Sequence, residues 1–170
     1  AYFDNRNGYY ALTNRVAARA AARRLPASGA RVLEVGAGLG SATAALLAEI
    51  AGQTALSSYR VTEPVPFFRR RAERTLPASH PGVALAFADL DLNRPWGSQG
   101  ITPGGTDLVW GVNVFHLARD LDVTLREAYA ALAPGAWLVI GEGIRPTPRT
   151  PVGAEFPFQL LERFADDRMA

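Results

Sequence analysis

Between residues 30 and 142 the chain alternates two patterns of apolar and polar positions. Short continuous apolar runs, such as Leu108-Val109-Trp110, read as strands buried on both faces, and stretches with apolar residues three or four apart read as helices. The pattern predicts strands at 31–36, 58–63, 83–88, 107–113 and 136–142, and helices at 41–51, 65–76 and 121–132. Ahead of them, the segment from about Tyr9 to Leu25 carries Leu12, Val16 and Ala20 four apart with arginines between, an amphipathic helix that ends before Pro26. Strands joined by helical crossovers run parallel, and right-handed crossovers lay helices on both sides of the sheet. The expected fold is therefore α/β, a doubly wound, mostly parallel, Rossmann-like sheet.

Two stretches interrupt the alternation. Residues 92–106 hold Gly and Pro where a crossover helix would stand, so a loop with at most one turn of helix is expected. Residues 143–157 contain Pro146, Pro148, Pro151 and Pro157 and read as an extended connection to a short amphipathic piece, Phe158 to Phe164. This divides the chain into a helical lead-in (1–27), a cofactor-binding core (28–145) and a Pro-rich tail (146–170). There is no internal repeat. The chain opens with Ala rather than Met, which fits an excised domain or part of a longer polypeptide.

Composition narrows the class. With 48% hydrophobic and 20% charged residues over 170 positions, the chain has the make-up of one globular domain with a real core rather than a disordered segment. No run of about 18 apolar residues and no secretory leader pattern occur, so a soluble, cytoplasmic protein without a membrane partner is expected. Without cysteine and with only His80 and His116, no metal site is expected. All 18 basic residues are arginine, yet the net charge is only +2, too small to argue for nucleic acid. The arginines cluster, however: Arg15, Arg19, Arg23 and Arg24 in the first helix, and Arg69, Arg70, Arg71 and Arg74 in a later one. They are either solvated helix faces or a docking patch for an acidic partner.

The chemistry concentrates at strand ends. Val32-Leu33-Glu34-Val35 breaks into Gly36-Ala37-Gly38-Leu39-Gly40 and then a helix, a backbone able to approach a nucleoside-type ligand closely. In an open parallel sheet the ligand lies at the carboxyl ends of the strands, and here each end carries a polar group: Glu63, Asp89, Asn113 with His116 beyond it, and Glu142. Glu63 can accept both ribose hydroxyls, as in NAD or S-adenosylmethionine. Three details favour the methyl donor. The spacing is Gly-x-Gly-x-Gly rather than Gly-x-Gly-x-x-Gly, a weak test because Ser41 is also small. Glu34, two residues before the first glycine, is a buried carboxylate that would orient the loop or help hold a cationic ligand. Asp89 supplies a second acid suited to an adenine amino group, with a loop cap as its bland alternative. Strands four and five should be neighbours, which brings His116 and Glu142 together. A Glu beside a His raises its basicity and fixes its tautomer, making the pair a general base; a satisfied histidine and an ordinary strand-end acid are the alternatives. Tyr9 and Tyr10 either close over the cofactor or simply pack.

On these residues the chain resembles the class I S-adenosylmethionine-dependent methyltransferases over roughly 30–142. Glu34-x-Gly36-x-Gly38-x-Gly40, Glu63, Asp89 and the closing Leu132-Ala133-Pro134-Gly135-Ala136-Trp137-Leu138-Val139 carry the likeness, with Ala136 where the family usually has a second glycine. Asn113-Val114-Phe115-His116-Leu117-Ala118-Arg119-Asp120-Leu121 and Asp89-Leu90-Asp91 with Gln99-Gly100 more narrowly resemble the C-methyltransferase domains of polyketide synthases. The resemblance implies cofactor contacts from Tyr10, Glu34, Gly36, Ala37, Gly38, Gly40, Glu63, Pro64, Asp89, Leu90 and Asn113, and a His116–Glu142 catalytic dyad. It implies a polyketide-type or other specialised small-molecule acceptor, free or held on an acyl carrier protein between flanking synthase domains, with S-adenosylhomocysteine as by-product. O- or N-methylation of a free small molecule, and a module that binds the cofactor without catalysis, are the alternatives. The family usually adds a sixth strand and an antiparallel seventh, for which the sequence after Glu142 offers no clear candidates, so a core lacking or cut before its last strands is expected.

Overall fold

The apolar run at Ala30–Glu34 forms β1, the middle of a five-stranded sheet in a computed structural model that describes residues 5–142. In chain order the elements are α1 (Gly8–Ala22), β1, α2 (Ser41–Ile50), β2 (Leu56–Thr62), α3 (Pro66–Ser79), β3 (Leu85–Ala88), β4 (Thr106–Val112), α4 (Leu121–Ala131) and β5 (Leu132–Gly141). The strands lie in the order β3-β2-β1-β4-β5, and every pairing is parallel. The chain thus reverses direction across the sheet after β3, and the switch falls beside β1. The expected connection at 143–157, the helical piece at 158–164 and any sixth and seventh strands fall outside the described residues.

Alternate residues of β1 feed two cores. Val32 joins Leu46, Tyr59, Trp110 and the alanines of α1 and α2 on one face, while Leu33 and Val35 join Leu90, Trp96, Phe115 and Ala128 on the other. The second face is covered by α4 and by the β3–β4 connection, which buries Leu92, Trp96 and Ile101 and contains a single short 3₁₀ turn at Gly97–Gln99. This matches the loop expected over 92–106.

Three local expectations need adjustment. The apolar series Leu12, Val16 and Ala20 does not form the packing face of α1: Leu12 and Val16 are exposed, and Asn14, Ala17, Ala18 and Ala21 are buried instead. Small side chains win because the helix lies almost on the sheet, where a Cβ at Gly141 would stand 2.8 Å from that of Ala17. Helix α3 runs past Pro77 to Ser79, since proline in the last turn forfeits one hydrogen bond while the Ser79 hydroxyl donates to Thr75 O (2.9 Å) and His80 N–H to Leu76 O (2.9 Å). Strand β5 touches β4 first at Leu132, opposite Thr106, loops out through Pro134-Gly135, and resumes at Trp137 opposite Leu108.

Candidate active site

The glycine loop is shaped by what each glycine meets. A Cβ on Gly36 would come within 2.2 Å of Val114 Cγ2, and one on Gly111 within 2.7 Å of Val114 Cγ1, so Val114 occupies a notch between the loop and β4. A Cβ on Gly40 would strike Leu76 at 2.8 Å. At Gly38, with φ +56°, nothing lies within 4 Å, and the backbone faces open space at the carboxyl edge of the sheet. The loop's donors are largely used by the protein itself. Ala37 N–H donates to Thr62 O (2.9 Å), Gly38 N–H to Glu63 Oε2 (2.8 Å) and Gly40 N–H to Ala37 O (2.8 Å).

Glu34 sits beneath the loop, 1% exposed. Its register on β1, opposite Val61 and Trp110, brings the Tyr59 hydroxyl to Glu34 Oε2 (2.6 Å), and Trp110 Nε1–H reaches that hydroxyl at 3.2 Å. Thr43, in the first turn of α2, acts on the same carboxylate and favours its charged form, although the Thr43 hydroxyl makes no full hydrogen bond. Gly40, the residue that opens α2, has no side chain to cap the helix. Burial pushes its carboxyl up to about 7, against the lowering effect of Tyr59 and Thr43. Tyr59 and Thr43 as partners depend on strand register and helix placement, which no sequence spacing reveals.

The remaining strand-end residues line the same edge. Glu63 is buried, its two oxygens accepting from Gly38 N–H and Val65 N–H (2.9 Å), which holds the carboxylate still while leaving lone pairs free. Pro64 and Asp89 are exposed. Leu90, 1% exposed, turns its side chain into the core and offers the cleft only backbone. Ala37 is also buried. Asn113, the residue just past β4, has φ +54°, a left-handed conformation that Asn tolerates better than most residues, and its side chain is hydrogen-bonded with the Tyr10 hydroxyl. Asn14, fully buried on α1, donates through Nδ2 to Asn5 (2.8 Å), while its Oδ1 has no partner among the described residues; Asn5 in turn reaches Ser41 O (2.8 Å).

His116 lies in a short 3₁₀ turn (Phe115–Leu117) just past β4, half-exposed. Its Nδ1 is 2.8 Å from Glu142 Oε2, and the other oxygen of Glu142 accepts from Val114 N–H (3.0 Å) and Phe115 N–H (2.7 Å). One carboxylate therefore fastens both the ring and the turn that carries it. His80 closes the end of α3 and faces none of these groups. Two concavities, about 310 Å³ beside Arg19 and Glu49 and about 140 Å³ beside Arg31 and Arg60, lie toward the amino edge of the sheet, away from this chemistry. Among the described residues no helix is long and apolar enough to cross a membrane.

This donor set suits a cationic nucleoside better than a dinucleotide. A pyrophosphate needs free backbone N–H groups in the loop, whereas here those of Ala37, Gly38 and Gly40 are spent on Thr62, Glu63 and Ala37. What faces the opening is rich in acceptors, as the ammonium, sulfonium and ribose of S-adenosylmethionine require.

Comparison with known proteins agrees. Residues 33–138 match the family described as methyltransferase domain. Highly reducing polyketide synthase 2 of Gibberella zeae is 36% identical over 122 residues, 68% of this chain but 5% of that synthase. Among solved structures, the trans-methyltransferase CalH in complex with S-adenosylhomocysteine is 30% identical with a TM-score of 0.64, covering 78% of this chain and 38% of that one. The CurJ carbon methyltransferase is 27% identical with a TM-score of 0.75, covering 94% and 41%. The chain spans a small part of these relatives. From its sheet order, its acceptor-rich loop and these likenesses, it belongs to the methyltransferase domain family as a class I S-adenosylmethionine-dependent methyltransferase, related to the carbon-methyltransferase domains of polyketide synthases.

Proposed function

We propose that the chain methylates carbon in a polyketide-type or related specialised metabolite, with His116 as general base and Glu142 as its partner. The observation that carries this reading is the 2.8 Å contact between His116 Nδ1 and Glu142 Oε2. A carboxylate at Nδ1 keeps the proton there and leaves Nε2 with its lone pair toward the half-exposed side. Nε2 removes a proton from a carbon between two carbonyls, and Glu142 stabilises the imidazolium that results. The enolate carbon forms the new C–C bond. When bound, S-adenosylmethionine supplies a methyl group on positively charged sulfur and leaves as S-adenosylhomocysteine, with the broken bond's electron pair on sulfur.

Around that step Glu63 and Pro64 hold the ribose end and Asp89 with the Leu90 backbone the adenine. Gly36, Ala37, Gly38 and Gly40 border the methionine portion, closed by Tyr10 and Asn113, with Glu34 supporting the loop from below. The acceptor is presented by an acidic acyl carrier protein, for which exposed arginines of α3 supply complementary charge. The decisive experiment is product analysis with a β-ketoacyl thioester of N-acetylcysteamine and S-adenosylmethionine. His116→Ala should lower kcat by about 10²–10⁴-fold and Glu142→Gln by a smaller factor, while S-adenosylhomocysteine binding persists. Methyl on oxygen or nitrogen in the product would replace carbon methylation by the alternative chemistry. Unchanged turnover in His116→Ala would refute the base, and no turnover in the unaltered chain would point to a non-catalytic module.

A further inference from the structure

We infer that Asn93 is a positioning residue that fixes the turn bearing His116, an inference that rests on the reading of His116 as the base. Asn93 lies in the β3–β4 connection, far from His116 in sequence, and its exposed side chain makes two bonds to the segment just after the histidine. Its Oδ1 accepts from Arg119 N–H (2.7 Å), and its Nδ2 donates to Leu117 O (3.3 Å). Asn93 is itself held, because its own N–H donates to Asp91 Oδ1 (2.9 Å).

The connection behind it is firm. Gln99 clasps Asp91 by accepting from its N–H (2.8 Å) and donating to its carbonyl (2.9 Å). Trp96 N–H donates to Glu127 Oε2 on α4 (2.6 Å), and the Leu92 and Trp96 side chains are in the core. The 3₁₀ turn is the opposite kind of element. Three residues with one or two internal bonds hold their shape poorly by themselves. Here it is gripped at both ends: Glu142 takes the N–H groups at its start, and Asn93 takes the carbonyl of its last residue and the N–H two residues later. His116 stands between the two grips. A base must be placed to within a fraction of an ångström of the proton it removes, so loosening the far grip should cost rate without touching the cofactor loop.

The test compares Asn93→Ala, Asn93→Asp and His116→Ala in the 170-residue chain, by amide hydrogen exchange with S-adenosylhomocysteine bound and by turnover of the β-ketoacyl thioester. Asn93→Ala should lower kcat by about 10- to 100-fold, with the KM for S-adenosylmethionine essentially unchanged. It should also speed exchange at Phe115, whose own partner Glu142 is intact, by about ten-fold. Asn93→Asp, which keeps the acceptor for Arg119 N–H but sets an oxygen against the Leu117 carbonyl, should recover part of the rate and of the Phe115 protection and no more. Faster exchange confined to Arg119, or full turnover in Asn93→Ala while His116→Ala is inactive, would overturn the positioning role alone. Full turnover in His116→Ala would overturn the base and this inference with it.

Discussion

Glu34 shows how much a single residue type can hide. Its place at the end of an apolar run marks it as a buried acid, but its worth depends on Tyr59, two strand positions away on β2, and on Thr43 in α2. Burial without a neighbouring cation raises the carboxyl to about 7, above its ordinary 4.5. Between those values the folded chain keeps a proton that the unfolded chain has released, so stability should fall as pH rises from about 4.5 to about 7 and then level off. The size is about 3 kcal/mol, from a free energy of about 1.4 kcal/mol per pKa unit. Urea denaturation at a series of pH values should show this slope, and in Glu34→Gln it should flatten. A slope unchanged by the substitution would assign the effect to another group. The two residues of the proposed dyad differ in legibility from Asn93. His116 and Glu142 fall at the ends of neighbouring strands and can be paired from topology, whereas Asn93 meets Leu117 and Arg119 through two irregular segments whose paths no periodicity encodes.

At the scale of elements, the parallel strands were readable because β1 and β4 are buried on both faces, Val32 and Leu108 on one and Leu33 and Val109 on the other. The orientation of α1 was not. Ranking by hydrophobicity favours Leu12 and Val16, but approach to the sheet at Gly141 admits only the alanine face. The same closeness governs the join between the glycine loop and the turn after β4. Gly111→Ala would put a methyl group 2.7 Å from Val114 Cγ1 and 2.9 Å from the Val35 carbonyl oxygen, and the latter is backbone that cannot step aside. We expect a loss of about 1–3 kcal/mol in thermal or chemical unfolding, typical of overpacking, together with a lower kcat because Phe115 and His116 move with Val114. Unaltered stability would mean that the notch relaxes freely.

For the whole molecule, the sheet gathers its acids at one edge and sets arginines on its flanks, but the arginines are not equivalent. Arg69 donates to Glu63 O (2.8 Å) and pairs with Glu73, Arg19 pairs with Glu49, and Arg24 lies over the Trp137 ring at 4.2 Å. These three have partners within the fold. Arg70, Arg71 and Arg74 are exposed on α3, near the exposed Phe67. If an acidic carrier docks there, replacing Arg70, Arg71 and Arg74 by Gln should raise the KM for a carrier-bound acceptor several-fold, with an effect that fades at high salt. The N-acetylcysteamine thioester, which lacks the carrier, should be turned over as before; equal KM values for both acceptors would remove the docking role. The wedge at Val114 has a consequence of a different order. Gly36, Gly111 and Val114 share one volume, so no one of them can be altered on its own terms: shortening Val114 would clear the space beside Gly36, whose φ of +64° would still strain any other residue, whereas at Gly111 the Val35 carbonyl oxygen bars a methyl group whatever stands at 114.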